Sequence, residues 1–332
     1  MTLSRQIHLK SRPSGLPTAE HFELASVELP PPAAGEVQVR NDWMTVDPYM
    51  RCVMEPSKSY IEPYAIGAPP GGGAIGKVVS STVAGFQPGD VVMSALGWRE
   101  AFNAPAGAVR KLDSQGLPVE AFLGVAGVPG MTAWAGMVKV GEVDADDIVF
   151  VSGAAGAVGS IACQIAKIRG ARVIGSAGGP EKMAFLREIG CDEVIDYKAE
   201  PDLIAALNRV APDGITMFFD NVGGATLDAA LMVAQPHAHF LLCGIISQYN
   251  DGEPYGVKHL MESIARRIRL DGFGVYDYVG QTDAFVAEMK AWLAGGRMIN
   301  RETIDHGIES APGAFLKLFT GKSVGKMLVK LA

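Results

Sequence analysis

The sequence is poor in cysteine: 332 residues hold four, Cys52, Cys163, Cys191 and Cys243. No two are close enough for a Cys-x-x-Cys pair, which argues against a disulfide framework and a cysteine-built zinc site. Reduced, buried thiols are the default expectation. Long apolar runs are missing too: none approaches the roughly 20 residues that span a bilayer. The opening stretch MTLSRQIHLKSRPSG lacks the apolar centre of a signal peptide. Positive charge is in deficit, with 29 Lys and Arg against 36 Asp and Glu, a formal net charge of −7. That balance argues against nucleic acid or an anionic membrane as the main partner. Internal repeats and low-complexity tracts are absent. A cytoplasmic protein is expected.

What is present suits a packed protein. Hydrophobic residues make up 48% and charged residues 20%, enough for a core and too little charge for disorder. The length suggests about two domains. Residues 1–125 are rich in Pro, Gly and short β-branched runs. GEVQVRNDWMTVD alternates like a strand, and AIGKVVSSTVAGFQPGDVVMSAL reads as two strands joined by GFQPGD. This half is expected to be barrel-like, completed by the strand-like SVGKMLVKL within 300–332. Over 126–299 strands and helices alternate: DIVFVSG, ARVIGSAG, CDEVIDY, ITMFFDNVG, AHFLLCG and IRLDGFGV are the strands, with helices between them, one of them near VKHLMESIARR. Six short apolar strands with crossover helices predict an α/β, doubly wound parallel sheet.

Within it, VSGAAGAVGS (151–160) joins the first strand to a helix. The glycines fall at Gly153, Gly156 and Gly159, with alanines displacing the middle glycine of the dinucleotide fingerprint. Strand, small-residue turn and helix are the context that fingerprint needs. Gly153 permits the tight turn, the alanines admit a pyrophosphate, and Gly159 lets helix and strand close up. Packing alone could also explain the small residues. An NAD site usually places Asp or Glu about 20 residues on, at the ribose 2′-hydroxyl. Residues 174–179 contain no acid, and Lys182 follows. The missing acid and the nearby cation favour NADP(H), although a single lysine on a helix is commonly just solvated.

Several motifs then converge: TVDPYMR (45–51), GMTAW (130–134), AAGAVGS (154–160), DYK (196–198), FDNVGG (219–224) and CGIISQYN (243–250). Together they resemble the zinc-independent medium-chain dehydrogenases/reductases, and within these the prostaglandin reductase, leukotriene hydroxydehydrogenase and 2-alkenal reductase group. The resemblance covers nearly the whole chain. It implies a GroES-like barrel domain with a Rossmann domain, usually as a homodimer. It also implies NADPH-dependent reduction of the carbon–carbon double bond of α,β-unsaturated ketones or aldehydes. By the same resemblance Gly156, Ala157, Val158 and Gly159 form the phosphate loop, and Lys182 and Tyr197 flank the adenosine 2′-phosphate. Asn221 contacts the cofactor after the fourth strand. Cys243, Gly244, Ile245, Ser247 and Tyr249 line the nicotinamide half, with Phe273, Gly274 and Val275 after the sixth strand. Relatives commonly carry Asn near the C-terminus where this chain has Ser323, in GKSVGK. The zinc relatives' GHE motif and four-cysteine lobe do not occur. His237 and His239 would share a strand face without a carboxylate or cysteine nearby, so they read as a strand entrance.

Enone reduction places negative charge on the substrate's carbonyl oxygen, so the site needs donors there. Tyr249 is the first candidate, by the family resemblance and because its segment follows a parallel strand's carboxyl end, where such folds bind ligands. Tyr49 is expected to bound the substrate cleft, or to pack in the core beside Pro48. Met44, Met50, Met54, Met93 and Met131 suit a soft pocket wall or ordinary core filling. Segments 55–70 and 251–258 are expected to shape the pocket. Quinone reduction, NADP-dependent alcohol oxidation, and NADPH binding without turnover remain alternative readings.

Overall fold

The computed structural model describes residues 1–56, 61–250 and 253–331. The chain divides into two units: Met1–Leu123 with Glu302–Ser323 and Met327–Ala332, and Gly124–Arg301 with Val324–Lys326. Residues 57–60 and 251–252, within the two segments expected to shape a pocket, lie outside the described residues.

The first unit starts with β1 (Thr2–Leu9), paired antiparallel with β2 (Phe22–Leu29). There follow β3 (Glu36–Thr45), the short helix α1 (Tyr49–Val53), β4 (Ala74–Ser81), β5 (Val91–Ser94), β6 (Ala101–Pro105) and β7 (Val109–Lys111). The alternation expected of β3 is only partial, because Gln38 is buried beside Val37 and Val39. Its amide is satisfied there, donating to Asn103 Oδ1 at 2.8 Å, which makes a two-sided burial tolerable.

The second unit opens with α2 (Val128–Trp134), which runs into a π-helical turn over Ala135–Val140. Then come β8 (Ile148–Val151), α3 (Gly159–Ile168), β9 (Arg172–Ala177), α4 (Pro180–Glu188) and β10 (Glu193–Asp196). The second half repeats the pattern with α5 (Leu203–Val210), β11 (Ile215–Asp220), α6 (Gly224–Val233), β12 (Ala234–Leu242), α7 (Met261–Ala265) and β13 (Arg269–Gly272), and ends in α8 (Thr282–Ala294). All six strands are parallel, in the order β10-β9-β8-β11-β12-β13. This is the Rossmann order, with its switch point between β8 and β11. Helix α7 is shorter than its apolar pattern suggests. Arg267 adopts a left-handed φ of 54°, and Ile268 N–H donates back to Ser263 O at 2.8 Å, the signature of a helix stop.

Strand β14 (Glu302–His306), helix α9 (Ala311–Thr320) and strand β15 (Lys326–Lys330) close the chain. The two strands extend the first unit's sheet, ordered β14-β15-β3-β4-β5-β7 with β6 on β3. This is the GroES-like half of the fold. Its core takes in Met44, Met50 and Met54, each fully buried, so these three fill the core. Trp98 stacks on Phe22 with ring centroids 5.5 Å apart.

Among the described residues no helix is long and apolar enough to cross a membrane. The second unit's core has a row of rings across three neighbouring strands. Phe150 (β8) stacks on Phe218 (β11) at 5.0 Å, and Phe218 meets the edge of Phe240 (β12) at 5.2 Å. All three are fully buried. Phe218→Ala is expected to destabilise the protein by about 3–5 kcal/mol, read as a fall in thermal midpoint and in the denaturant midpoint.

Candidate functional site

The turn between β8 and α3 is built from residues that cannot be larger. Gly153 has φ +57°. A Cβ on Gly159 would lie 2.5 Å from Gly153 O and 2.8 Å from Ala154 Cα, so the helix start sits directly on the turn. Ala154 and Ala155 are buried, and Ala154 N–H donates to Ser176 O at 2.9 Å. No side chain caps α3. Among the described residues the N–H groups of Val158 and Gly159 find no acceptor, while Gly156 forms an isolated parallel bridge with Gly325. Unsatisfied N–H groups at a helix start, with the helix dipole behind them, form an anion cradle. The GKSVGK segment contributes a partner that its sequence does not announce. Gly325 N–H donates to Ala155 O at 2.8 Å, with a φ of 68°. Ser323, two residues earlier, is buried.

At the end of β9 the missing acid is matched by two cations. Lys182, in the first turn of α4, has its ammonium pKa lowered by burial and next by the charge of Lys198. Lys198 lies along Gly178, where a Cβ would sit 2.8 Å from its Cε. Among the described residues neither lysine forms an ion pair. The nearby carboxylate, Asp196 at the end of β10, is committed to the turn, accepting from Gly179 N–H at 3.1 Å and Lys198 N–H at 3.0 Å. Tyr197 is half exposed, its N–H held by Ala177 O at 3.2 Å. Two unpaired like charges beside an aromatic ring suit a phosphate dianion. Lys198 had no sequence signal of its own beyond following Tyr197 in DYK.

The loops after β11 and β12 are joined through one buried carboxylate. Asp220 Oδ1 accepts from Ser152 Oγ at 2.7 Å and from Val222 and Gly223 N–H at 2.9 Å each. Its backbone carbonyl accepts from Cys243 N–H at 2.9 Å and Gly244 N–H at 3.0 Å. Asn221 closes the set, with N–H to Ser152 Oγ and Nδ2 to Ser152 O, both 2.8 Å. Beyond it Ile246 and Ser247 N–H donate to Asn221 and Val222 carbonyls, and Ile245 packs where a Cβ on Gly223 would fall. A Cβ on Gly244 would lie 3.4 Å from the Tyr249 hydroxyl. So Asn221, Cys243, Gly244, Ile245, Ser247 and Tyr249 form one local assembly. The Cys243 residue is partly exposed but its sulfur is enclosed. Burial, then the Asp220 charge, pushes its thiol up to about 12. It is neutral at physiological pH and a poor nucleophile.

Phe273 packs edge-on against Phe219 at 6.0 Å. The π-helical turn fits around both rings because Gly136 has no side chain; a Cβ would reach 2.6 and 2.7 Å from them. Gly274 follows at the sixth strand's exit and Val275 opens a 3-10 turn. Tyr49, in the first unit, begins α1 and packs partly buried against the core. The two histidines differ from expectation. His237 has φ +68°, which breaks the alternation that would put them on one face. His239 does have a carboxylate, Asp271 Oδ2 at 2.8 Å, across the strand pair. Sequence proximity could not reveal it, because the partner lies on the next parallel strand. Among the described residues no three His, Cys, Asp or Glu side chains are grouped as a metal site.

An open glycine turn, an uncapped helix start and a lysine pair fit a dinucleotide with an extra phosphate. The chain matches a family described as "N-terminal domain of oxidoreductase" over residues 5–112, and one described as "Zinc-binding dehydrogenase" over 157–295. It is 38% identical to 2-alkenal reductase (NADP(+)-dependent) of Nicotiana tabacum, over 99% of this chain and 98% of that protein. It is 35% identical to prostaglandin reductase 1 of Rattus norvegicus, over 97% of each. The crystal structure of CurA from Vibrio vulnificus in complex with NADPH superposes with a TM-score of 0.93, at 40% identity, covering 99% of both chains. The chain belongs to the medium-chain dehydrogenase/reductase family. Within it, the chain falls in the zinc-independent group that contains the 2-alkenal and prostaglandin reductases. The zinc in the second description has no donor set among the described residues.

Burial raises the Asp220 carboxyl pKa, against the opposing pull of its hydrogen bonds. Folding therefore disfavours its charged form. Stability from this group is full below the ordinary value of 3.8 and is lost as pH rises through the folded value. Asp220→Asn keeps the acceptor oxygen and removes the charge. Thermal melts are expected to show the Asn variant more stable than wild type at neutral pH, with the gap closing in acid. A less stable variant at neutral pH would mean the ionised form is favoured.

Proposed function

We propose that this chain is an NADPH-dependent reductase of the carbon–carbon double bond in α,β-unsaturated ketones and aldehydes. The observation that carries this is end-to-end likeness to reductases of that kind, at 35–38% identity over 97% or more of each chain. The fit of the second unit to a phosphorylated dinucleotide supports it. When bound, NADPH supplies a hydride for the alkene's β-carbon. The free N–H groups of Val158 and Gly159 hold the pyrophosphate, with Ala157 and Gly156 in the same turn keeping it open. Lys182, Lys198 and Tyr197 hold the 2′-phosphate, and Asn221, Cys243, Gly244, Ile245 and Ser247 support the nicotinamide half. Phe273, Gly274 and Val275 belong to the same reading, as does Ser323 in place of the family's Asn.

The Tyr249 phenol donates to the substrate's carbonyl oxygen as charge builds there. Tyr49 belongs to the same reading, as a residue that bounds the substrate. The proton that completes the α-carbon comes from Tyr249 or from water. The working form is a homodimer in the cytoplasm. Two features support the dimer: β13 is an edge strand of the parallel sheet, and Leu260, Met261, Ile264, Tyr276 and Val279 nearby in the chain are exposed. An open edge and apolar surface are features that proteins ordinarily cover.

NADPH oxidation measured against a panel of enones, enals, quinones and simple ketones tests the activity. Enones and enals are expected to turn over, and failure with all of them would overturn the proposal. Lys182→Ala and Lys198→Ala are each expected to narrow the preference for NADPH over NADH by about tenfold, the scale of one charge-assisted hydrogen bond. An unchanged ratio would remove that lysine from the site. Tyr249→Phe is expected to lower turnover far more than NADPH affinity.

A further inference from the structure

We propose that Asp228, in α6, is a positioning residue that fixes Tyr249 for the reaction by pinning the 255–259 segment. The inference deepens the proposed function and rests on the reading of Tyr249 as the donor to the substrate.

Asp228 is 5% exposed, and its carboxylate is fully used. Oδ2 accepts from the Tyr255 hydroxyl at 2.7 Å. Oδ1 accepts from the N–H groups of Lys258 and His259, both at 2.9 Å. These bonds hold the carboxyl below its ordinary pKa against the opposing effect of burial, so the charge is present at neutral pH. The Tyr255 backbone N–H in turn donates to Gln248 Oε1 at 2.9 Å. Gln248 immediately precedes Tyr249, and its own N–H is tied to Ile245 O at 2.8 Å. A path of hydrogen bonds therefore runs from the Asp228 carboxylate through Tyr255 to Gln248, the residue beside the donor.

The first turn of α6 is shaped to receive this path. A Cβ on Gly224 would lie 3.0 Å from Ser247 Oγ and 3.9 Å from Tyr255 Cγ. Lys258 also places its ammonium 5.6 Å from the centre of the Tyr255 ring. Holding a loop by a buried carboxylate is costly unless every acceptor site is filled. Here three donors converge from one segment, and hydrogen bonds to a charged acceptor fix geometry more tightly than neutral ones. A donor to developing charge acts in the transition state, and small misplacement of such a group lowers rate rather than binding. Asp228 therefore acts on kcat through Tyr249 and leaves the phosphate-binding elements alone.

The test is a double-mutant cycle on the full-length protein, with the enone that turns over fastest. Asp228→Asn and Tyr255→Phe are each combined with Tyr249→Phe; Tyr255→Phe removes one hydroxyl and guards against misfolding of the Asn variant. Each single variant is expected to lower kcat about fivefold, the worth of one net hydrogen bond. KM for the enone and Kd for NADPH stay within about twofold of wild type. In the Tyr249→Phe background the same changes are expected to have no further effect on kcat, because the residue they position is already disabled. Losses that add across the cycle, an unchanged kcat, or a parallel loss of NADPH affinity would overturn the positioning role while leaving the reductase reading intact. A Tyr249→Phe protein with full turnover would overturn the donor assignment and this inference with it.

Discussion

One buried carboxylate, Asp220, holds together the end of the parallel sheet where the chemistry is proposed. Through Oδ1 it gathers Ser152 from the end of β8 and the Val222 and Gly223 amides after β11. Through its backbone carbonyl it gathers the first two amides after β12. Three strand ends meet at one residue, at the switch point where such sheets bind ligands. Its other oxygen, Oδ2, is buried with no hydrogen-bond partner among the described residues, which is why burial raises its pKa. The arrangement favours order in the loops over the stability of the residue that orders them, a common trade at functional sites.

The rest of the second unit is arranged around that junction by size and charge. Gly159 and Gly153 let a helix start touch a strand end, so the turn presents bare N–H groups instead of side chains. Beside it, a pair of lysines without ion-pair partners supplies positive charge where an NAD-selective fold would place an acid. Asp196, the carboxylate at hand, is turned inward to hold the Gly179 and Lys198 amides. The proposed site thus separates two tasks: neutral backbone donors for one phosphate group, and side-chain cations for another. Asp228, whose two carboxylate oxygens are both filled, holds the segment that follows Tyr249 after β12.

Much of this architecture was readable from the residues. The six strands and their helices followed from short apolar runs separated by Gly and Pro, because a strand buried on both faces needs little else. The glycine turn and Lys182 were visible as local patterns. What could not be read depends on contacts between distant segments. Lys198 stands beside Lys182 only because β10 lies next to β9. Gly325 reaches the phosphate turn from the C-terminal segment. The carboxylate of His239 comes from a neighbouring strand, and the bulge at His237 from a left-handed backbone that no local residue pattern marks. Asp220 lay inside a quoted motif, yet its role needs Ser152, sixty-eight positions away in sequence. The three buried methionines of the first unit suited wall or core equally until their packing was seen.

The proposed reaction differs from its nearest rivals in the atom that receives the hydride. Reduction of an enone with NADPH carrying deuterium at the transferable C4 position, followed by NMR of the product, reads that atom directly. The account predicts a saturated ketone or aldehyde with deuterium on the former β-carbon. Deuterium on the former carbonyl carbon, now the carbinol carbon of an allylic alcohol, would contradict it and assign the chain to carbonyl reduction.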